Sequence, residues 1–334
     1  MFLESLFDSL ATPADNSSDM VRFTAVPIPG CEQHRLGKDL RGYPLLLVSV
    51  TDTVEQARPS PIVLQHLTVQ HGLECRISRP DGSVERGRFT VIRCTGADRA
   101  LITYFLHVIG TVVASLSASP FDQDVSQAID KLVELFRAMT ELPRKSVQGL
   151  WAELYCMARI RQPILLLRAW HSAPEDKYDF RAGGQRVEVK SASGSIRQHF
   201  FSLEQLHPPL GTQALIASLF VERSSGGISI TQLADRIRTL IADEPKLLLH
   251  LDRVIGLTLG ENWRSAIEDR FDQQLAEQSL LFYNSEAIPT ICPDLPPGVS
   301  LVRFMADLTG CAPVDVRRYR EQGGLFQALL VVGR

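Results

Sequence analysis

The sequence predicts a mixed α/β protein with more than one domain. Its 334 residues are more than one hydrophobic core usually holds. Branched and aromatic runs crowd residues 20–117, whereas patterns of helical spacing begin near residue 122. A hydrophobic fraction of 45% with 22% charged residues is typical of a globular chain and argues against a disordered one.

Residues 20–117 are predicted to be rich in strands. The runs that indicate them are "PLLLVSV", "CRISRPDGSVERGRFTVIRC" and "RALITYFLHVIGTVVASL", and Pro80-Asp81-Gly82 in the second run predicts a turn. The third run could instead be a buried helix, because periodicity does not separate the two in an apolar stretch. We therefore predict an N-terminal β-rich domain over residues 1–120.

Two helices are predicted to follow. The first is a connector between domains over residues 121–143, with an acidic start and an end at Pro143. Its apolar positions at helical spacing are Val125, Ile129, Leu132, Leu135, Phe136 and Met139. The second helix begins at Ser146 and carries Glu153 beside its apolar stripe.

The rest of the chain alternates predicted strands and helices. In a predicted core domain, residues 144–232, "PILLLRAW", "QALIASLFVE" and "GISITQL" predict strands, the last two as a pair, and "HFFSLEQL" predicts the start of a helix. Residues 233–334 form a predicted C-terminal α/β extension. Its helices are predicted at "LADRIRTLIADE", "PKLLLHLDRVIGL" and "RSAIEDRFDQQLAEQ", and its strands near "LLFYNSEAI" and "VSLVRFMADL".

Composition argues against several classes of protein. No run of about 18 uninterrupted apolar residues appears, and the first residues are acidic, unlike a signal peptide. The six cysteines are scattered without a CxxC pair, which argues against a zinc ribbon or a disulfide framework. We therefore expect a cytoplasmic protein without membrane contact. The net charge of −3 gives no sign of a nucleic-acid partner, but residues 144–197 hold ten Lys or Arg against five Asp or Glu.

The stretch "KYDFRAGGQRVEVKSAS" predicts a β-hairpin around Gly183-Gly184, a two-residue turn that glycine favours. In that register paired residue numbers sum to 367, which puts Asp179 opposite Glu188. Side chains alternate between the two faces of a strand. The polar face of the hairpin comprises Asp179, Glu188, Lys190 and Lys177, and the apolar face comprises Tyr178, Phe180, Val187 and Val189.

Two carboxylates directly opposed across a hairpin need an explanation, because like charges there are destabilising. A bound divalent cation supplies one, since Mg²⁺ uses one or two carboxylates and keeps several waters. Lys190 could also compensate the charge as a simple surface partner. The inference depends on the register, because a slip of one residue would move every side chain to the other face.

These residues resemble a known motif. Glu153 on a helix, Asp179 on a strand and Glu188-Val189-Lys190 on the next strand are similar to the PD-(D/E)XK phosphodiesterase superfamily, which includes restriction endonucleases. The wider pattern of "GLWAEL", "DKYDF", "VEVKSA" and "HFFSLEQL" resembles bacterial PD-(D/E)XK proteins encoded beside restriction and phage-defence genes. The resemblance implies a restriction-endonuclease-like αβββαβ core between the N-terminal β-rich domain and the C-terminal α/β extension.

The resemblance also implies a metal site. Asp179, Glu188 and the carbonyl oxygen of Val189 would bind Mg²⁺, for which Mn²⁺ can substitute. Glu153 would be an additional ligand or would fix a metal-bound water. No proline precedes Asp179 directly, and Pro174 lies five positions earlier, so Asp176 competes for the role of strand acid. In the predicted register Asp176 falls beyond the paired segment, and we therefore predict Asp179.

Further residues have implied roles at the same site. Lys190 would orient the attacking water or offset charge on the phosphoryl oxygens. Gln205 resembles the polar residue often found on the following helix, where it would contact the substrate backbone or order the site. Arg197 and His199 are candidates to join it.

The sequence thus predicts a Mg²⁺-dependent DNA endonuclease, or the nuclease subunit of a bacterial restriction or anti-phage system. Predicted partners are DNA and other defence-system proteins, such as an ATPase or helicase and a methyltransferase, and a homo-oligomer is compatible with the sequence. The alternative is a non-catalytic DNA-binding or assembly subunit that retains the fold. Asp179, Glu188 and Lys190 are all present, which argues against it, because a decayed site commonly loses one of the three. A third hypothesis is a nuclease that acts on RNA or on a nucleotide.

Overall fold

The chain forms two compact units, Met1–Glu141 and Leu142–Arg334. The computed structural model describes residues 2–13, 21–49, 59–79, 81–116, 122–141, 146–160, 163–170 and 176–330. Pro80, Pro143 and Pro174, which entered the predictions above, lie outside these residues. In the described part of the chain no helix combines the length and the hydropathy that a membrane span requires. The division into four segments stays a prediction.

The first unit is built on one sheet. Its described elements are α1 (Phe2–Asp8), β1 (Val21–Ile28), β2 (Cys31–Lys38), β3 (Pro44–Ser49), β4 (Ile62–Val63), β5 (Leu67–Ser78), β6 (Val84–Cys94), α2 (Arg99–Ser115) and α3 (Asp122–Ala138). The strand order is β1-β2-β3-β6-β5-β4, and an additional pairing of β1 with β5 closes five strands into a ring. A hydrophobic cluster of these strands comprises Phe23, Ala25, Leu45, Leu47, Cys75, Ile77, Phe89 and Val91.

The run "RALITYFLHVIGTVVASL" is the helix α2 and not the strand that we favoured. Asp98 caps it, because its carboxylate accepts hydrogen bonds from the backbone N–H groups of Ala100, at 2.8 Å, and Leu101, at 3.3 Å. An apolar segment of 17 residues is also longer than an ordinary strand. The cap and the length together decide between the two alternatives that periodicity leaves open.

The helix predicted before residue 143 is confirmed as α3. All six of its predicted apolar positions are buried. The ring of Phe136 packs edge-on against Phe105 of α2, with 6.0 Å between the ring centroids. Its role as a connector between domains stays a prediction.

The second unit is built on a four-stranded sheet of order β13-β10-β8-β7. Its described elements are α4 (Val147–Ala158), α5 (Ile164–Ala169), β7 (Phe180–Ala182), β8 (Gln185–Ala192), β9 (Gln198–Ser202), α6 (Leu203–Leu206), β10 (Gln213–Phe220), β11 (Arg223–Ser229), α7 (Ile230–Leu240), α8 (Pro245–Leu259), α9 (Trp263–Glu268), β12 (Arg270–Phe271), α10 (Gln273–Ser279), β13 (Leu281–Asn284), β14 (Arg303–Asp307) and α11 (Gly324–Ala328). Strand β10 runs parallel to β8 and antiparallel to β13. The mixed α/β class predicted from the sequence is confirmed.

"PILLLRAW" forms the helix α5, so the strand predicted there was wrong. Leucine is a good helix former, and Pro163 lies at the N-cap, where its missing N–H costs nothing. The run is also one-sided, since Leu166 and Leu167 are buried and Leu165 is exposed. A short leucine run of this kind carries no periodicity that favours a strand.

The predicted pairing of β10 with β11 was also wrong. Residues Ala214–Leu219 of β10 are almost completely buried, which is typical of a central strand, and β10 pairs with β8 and β13 instead. Strand β11 pairs with β12. The single helix predicted over "RSAIEDRFDQQLAEQ" is two helices, α9 and α10, separated by the strand β12. Asp272 caps the second of them, α10.

The segment "HFFSLEQL" begins as the strand β9 and only then turns into the single-turn helix α6. The partner of β9 is β14, and the two form a separate two-stranded sheet. The chain order α4, β7, β8, β9, α6, β10 follows the predicted order with α5 inserted. However, β9 does not belong to the four-stranded sheet that holds β7, β8 and β10.

Candidate active site

The hairpin of β7 and β8 has the register predicted from its turn. Phe180 pairs with Val187, Arg181 with Arg186 and Ala182 with Gln185, so the paired numbers sum to 367. Gly183 has a φ of 51°, which glycine adopts without strain. The paired segment ends at Phe180. Asp179 therefore lies just before β7, next to Glu188 on β8.

Two hydrogen bonds link Asp179 to Glu188 and to the next residue, Val189. The backbone N–H of Asp179 donates to Oε2 of Glu188 at 3.2 Å, and Oδ2 of Asp179 accepts the backbone N–H of Val189 at 2.8 Å. Both side chains are buried, with exposed fractions of 3% and 5%. The Glu188 carboxylate thus accepts the backbone N–H of Asp179, and the Asp179 carboxylate accepts the backbone N–H of the residue that follows Glu188.

Lys190 and Gln205 converge on the same glutamate. The ammonium group of Lys190 lies 2.7 Å from Oε1 of Glu188 and donates to Oε1 of Gln205 at 3.1 Å. The amide nitrogen of Gln205 donates to the same Glu188 oxygen at 2.7 Å and to the backbone carbonyl of Lys177 at 2.8 Å. The ring of Phe201 lies 5.1 Å from the Lys190 ammonium group. These contacts leave the lysine little freedom, since a charge-assisted network holds it.

The orientation of Gln205 follows from the local sequence. Ser202 and Gln205 form a capping box at the start of α6, in which Oε1 of Gln205 accepts the backbone N–H of Ser202 at 3.1 Å. Because the amide oxygen is engaged there, the amide nitrogen points to Glu188. The structure thus places Gln205 in contact with Glu188 and Lys190, and its role in catalysis stays a prediction.

Glu153 lies on α4 and is buried, with 3% of its surface exposed. Its Oε2 accepts the indole N–H of Trp170 at 2.7 Å. Burial raises the pKa of the Cys156 thiol to about 12, and the nearby carboxylates of Asp179 and Glu153 add to the rise. Both acids therefore lie near one thiol on α4.

Trp170 is a residue whose contribution the sequence analysis missed. It is buried. It also holds Glu153 through its indole and pairs with Phe180 of β7 through an isolated backbone bridge. The signal was available in principle, because a buried tryptophan normally needs an acceptor for its N–H group.

Asp176, the competing strand acid, has different surroundings. Its Oδ1 lies 3.7 Å from the guanidinium of Arg181, and its side chain is 22% exposed. Asp179 is more deeply buried and bonds to the backbone of β8. The geometry favours Asp179 as the strand acid.

One family of known proteins matches most of the chain. The model of a family described as "Putative PD-(D/E)XK family member, (DUF4420)" matches residues 3–309. The chain belongs to this family. The resemblance to the PD-(D/E)XK superfamily that the sequence motifs indicate is thereby confirmed. No curated protein and no solved structure matches the chain.

The residues of this PD-(D/E)XK protein fit a metal site with two carboxylates. Asp179 and Glu188 provide the hard oxygen donors that Mg²⁺ prefers. The Val189 carbonyl points to the same strand edge as its N–H, which bonds to Asp179. Within the described ranges, no group of three or more His, Cys, Asp and Glu side chains is placed to hold a metal ion. Direct ligation by Glu153 as a third carboxylate stays a prediction.

Arg197 and His199 form a second buried polar cluster, around Ser218 of β10. The Nε2 atom of His199 lies 2.8 Å from the Ser218 hydroxyl oxygen, and Nη1 of Arg197 donates to that hydroxyl and to the Ser218 carbonyl at 2.9 Å each. Arg197 also donates to the carbonyl of Ser279. These bonds tie β9 to β10. The two residues therefore position the segment that carries Gln205, and no bond between them and Asp179 or Glu188 is seen.

The buried His199 should make the stability of the protein depend on pH. Burial, with a smaller contribution from the charges of Lys190 and Arg197, lowers its pKa from an ordinary 6.5 to about 4. Between about pH 6.5 and 4, His199 is protonated in the unfolded chain and neutral in the folded chain. The free energy of unfolding therefore falls as the pH falls through this window, by up to about 1.4 kcal/mol per pH unit.

Urea unfolding of His199→Gln should show a shallower pH dependence than the wild type over this window. The glutamine retains a group that can bond to Ser218. His34 of the first unit, whose burial also lowers its pKa to about 4, keeps the slope of the variant above zero. Equal slopes for the two proteins would contradict the prediction.

Proposed function

We propose that this protein is a metal-dependent DNA endonuclease, alone or as the nuclease subunit of a bacterial restriction or anti-phage system in the cytoplasm. The observation that carries the proposal is the direct contact of the Glu188 carboxylate, the Lys190 ammonium and the Gln205 amide beside Asp179. Members of the PD-(D/E)XK superfamily are generally nucleases, and this supports phosphodiester hydrolysis as the reaction. We further propose that α4, β7, β8, β9, α6 and β10 correspond to the αβββαβ core.

Asp179, Glu188 and the Val189 carbonyl would hold the metal. Bound there, Mg²⁺ would act as a Lewis acid on a phosphoryl oxygen and would lower the pKa of a water. Glu188 enters this role with its Oε1 already bonded to Lys190 and Gln205, so its carboxylate has a fixed orientation. A fixed orientation matters because a catalytic group displaced by 1 Å can lose about a hundredfold in rate.

Lys190 is placed to act on the water or on the phosphate. An ammonium group has three N–H donors. Two of them are directed at Glu188 and Gln205, which leaves the third for an attacking water or a phosphoryl oxygen. Positive charge fixed at that point would stabilise the negative charge that develops as the phosphodiester bond breaks. Gln205 contributes by holding both Lys190 and Glu188.

Cleavage of supercoiled plasmid and linear DNA tests the proposal. The wild type is expected to cut in Mg²⁺ or Mn²⁺ and to stop in EDTA. Lys190→Ala should cut roughly 10²–10³-fold more slowly. The matched control is Lys246→Ala, which removes an exposed lysine from α8. Equal rates for the wild type and Lys190→Ala would refute the proposed mechanism.

The same assay separates the nuclease from the alternative. A wild type that binds DNA and leaves it uncut in Mg²⁺ and in Mn²⁺ would favour a non-catalytic DNA-binding or assembly subunit. An ATPase or helicase, a methyltransferase and a second copy of the chain remain proposed partners, and adding them to an inactive preparation tests whether the nuclease depends on a complex.

A further inference from the structure

Two arginines oppose each other at the outer end of the hairpin that carries Glu188. Arg181 of β7 is the direct cross-strand partner of Arg186 of β8. Like charges in directly opposed positions destabilise a strand pair. An anion bound between the two arginines would offset this repulsion.

The two arginines share the face of the hairpin that carries the candidate active site. On β8, Val187 and Val189 are buried on the opposite face, so Arg186 alternates onto the face of Glu188 and Lys190. Arg186 and Glu188 are two residues apart, which is about 7 Å along a strand. This separation is similar to that of neighbouring phosphates in a nucleic-acid strand.

Among the residues that the structure describes, Arg186 is held by backbone carbonyls and by no carboxylate. Its Nη1 donates to the backbone carbonyls of Gly183, at 2.7 Å, and Gln185, at 2.8 Å. These acceptors are neutral and fix the side chain at the turn. Both bonds start from the same nitrogen, so the other N–H donors of the guanidinium remain for a ligand. Burial lowers the pKa of Arg186, and the charge of Arg181 lowers it further.

The side chain of Arg181 is more accessible than that of Arg186. Its side chain is 64% exposed, and its Nη1 lies 3.7 Å from Oδ1 of Asp176, a distance beyond hydrogen bonding. An exposed ion pair of this length contributes little to stability. Arg181 can therefore turn to an anion beside Arg186 at small cost.

We propose that Arg181 and Arg186 form a phosphate-binding pair that holds the DNA backbone phosphate adjacent to the one at Glu188 and Lys190. The guanidinium fork binds phosphate oxygens in pairs, which a lysine does not. The identity of the ligand as DNA rests on the proposed function. The pair would place the strand so that the next phosphodiester lies over the acids.

Fluorescence anisotropy with a labelled DNA duplex in EDTA tests the pair without requiring cleavage. The logarithm of the binding constant falls linearly with the logarithm of the salt concentration, with a slope of about −0.9 for each phosphate contact. Arg181→Gln/Arg186→Gln should therefore reduce the magnitude of this slope by about 0.9, because the two arginines hold one phosphate. We expect its affinity to fall on the order of tenfold or more for the two lost charge-assisted contacts.

The matched control is Arg223→Gln/Arg236→Gln, which removes two exposed arginines from the same unit. It should leave the salt slope within about 0.5 of the wild type, because its arginines make no phosphate contact in this proposal. Arg186→Lys should keep the slope but lose affinity, since it retains the charge without the fork. Thermal unfolding followed by circular dichroism checks that each variant is folded.

The outcomes separate this pair from the proposed nuclease. If Arg181→Gln/Arg186→Gln matches the control in slope and affinity while the wild type cleaves DNA, the phosphate-binding pair is refuted and the nuclease stands. If the slope falls as expected while the wild type fails to cleave even with the proposed partners added, the pair stands and the nuclease is refuted. A wild type that does not bind the duplex overturns both.

Discussion

Asp179→Asn is expected to lower the rate of DNA cleavage by roughly 10²–10³-fold or more, whereas Asp176→Asn keeps a rate close to that of the wild type. Asparagine has the shape of aspartate and can still accept the backbone N–H of Val189 at Oδ1. The substitution therefore preserves the fold of the hairpin and removes mainly the negative charge. A lower cleavage rate would then result from the lost negative charge and not from a change in the local structure.

The pair of variants is a matched control, because the same change is made three residues apart in one segment. Single-turnover plasmid cleavage in Mg²⁺ measures the rates, and electron paramagnetic resonance of Mn²⁺ measures metal binding without catalysis. Asp179→Asn should bind Mn²⁺ more weakly and Asp176→Asn should not. The reverse result would identify Asp176 as the strand acid and would overturn the choice that the hairpin register and the burial support.

The parts of the candidate site that depend on nearby residues in the sequence were predictable. The turn at Gly183-Gly184 sets the register of β7 and β8, and from the register the neighbourhood of Asp179 and Glu188 follows by counting. Gln205 was found through its resemblance to a motif. What counting along a hairpin could not give is the contact of Gln205 with Lys190 and Glu188, because it depends on how β9 and α6 pack against β8.

The fold was less predictable where strands pair over long distances in sequence. Strand β10 pairs with β8 in parallel and with β13, which lies more than sixty residues further along the chain. The closure of the first unit joins β1 to β5 in the same non-local way. Hydrophobic periodicity reports which residues are buried, and it does not report the partner that buries them. For this reason β11 was assigned to the wrong neighbour.

Gly227→Ala is expected to destabilise the second unit by about 1–3 kcal/mol or more, whereas Gly226→Ala should change its stability by less than about 0.5 kcal/mol. A Cβ atom on Gly227 would lie 2.3 Å from the carbonyl oxygen of Phe271 and 2.5 Å from its carbonyl carbon. These are backbone atoms of β12, and they cannot turn aside as a side chain could. A Cβ atom on Gly226 would meet nothing within 4 Å.

Urea unfolding of the two alanine variants measures the difference, and equal stabilities would show that the close approach of β11 to β12 is not required.

The close approach of β11 to β12 also affects the candidate active site. Next to Gly227, the carbonyl of Ile228 accepts the indole N–H of Trp151 at 2.8 Å, and the Trp151 ring lies 5.4 Å from that of Phe271 between centroids. Trp151 belongs to α4, two residues before Glu153. Because a Cβ at residue 227 would push β11 away from β12, it would displace the acceptor that anchors this helix. Gly227→Ala should therefore also cut DNA more slowly under conditions in which it remains folded, while Gly226→Ala keeps the wild-type rate.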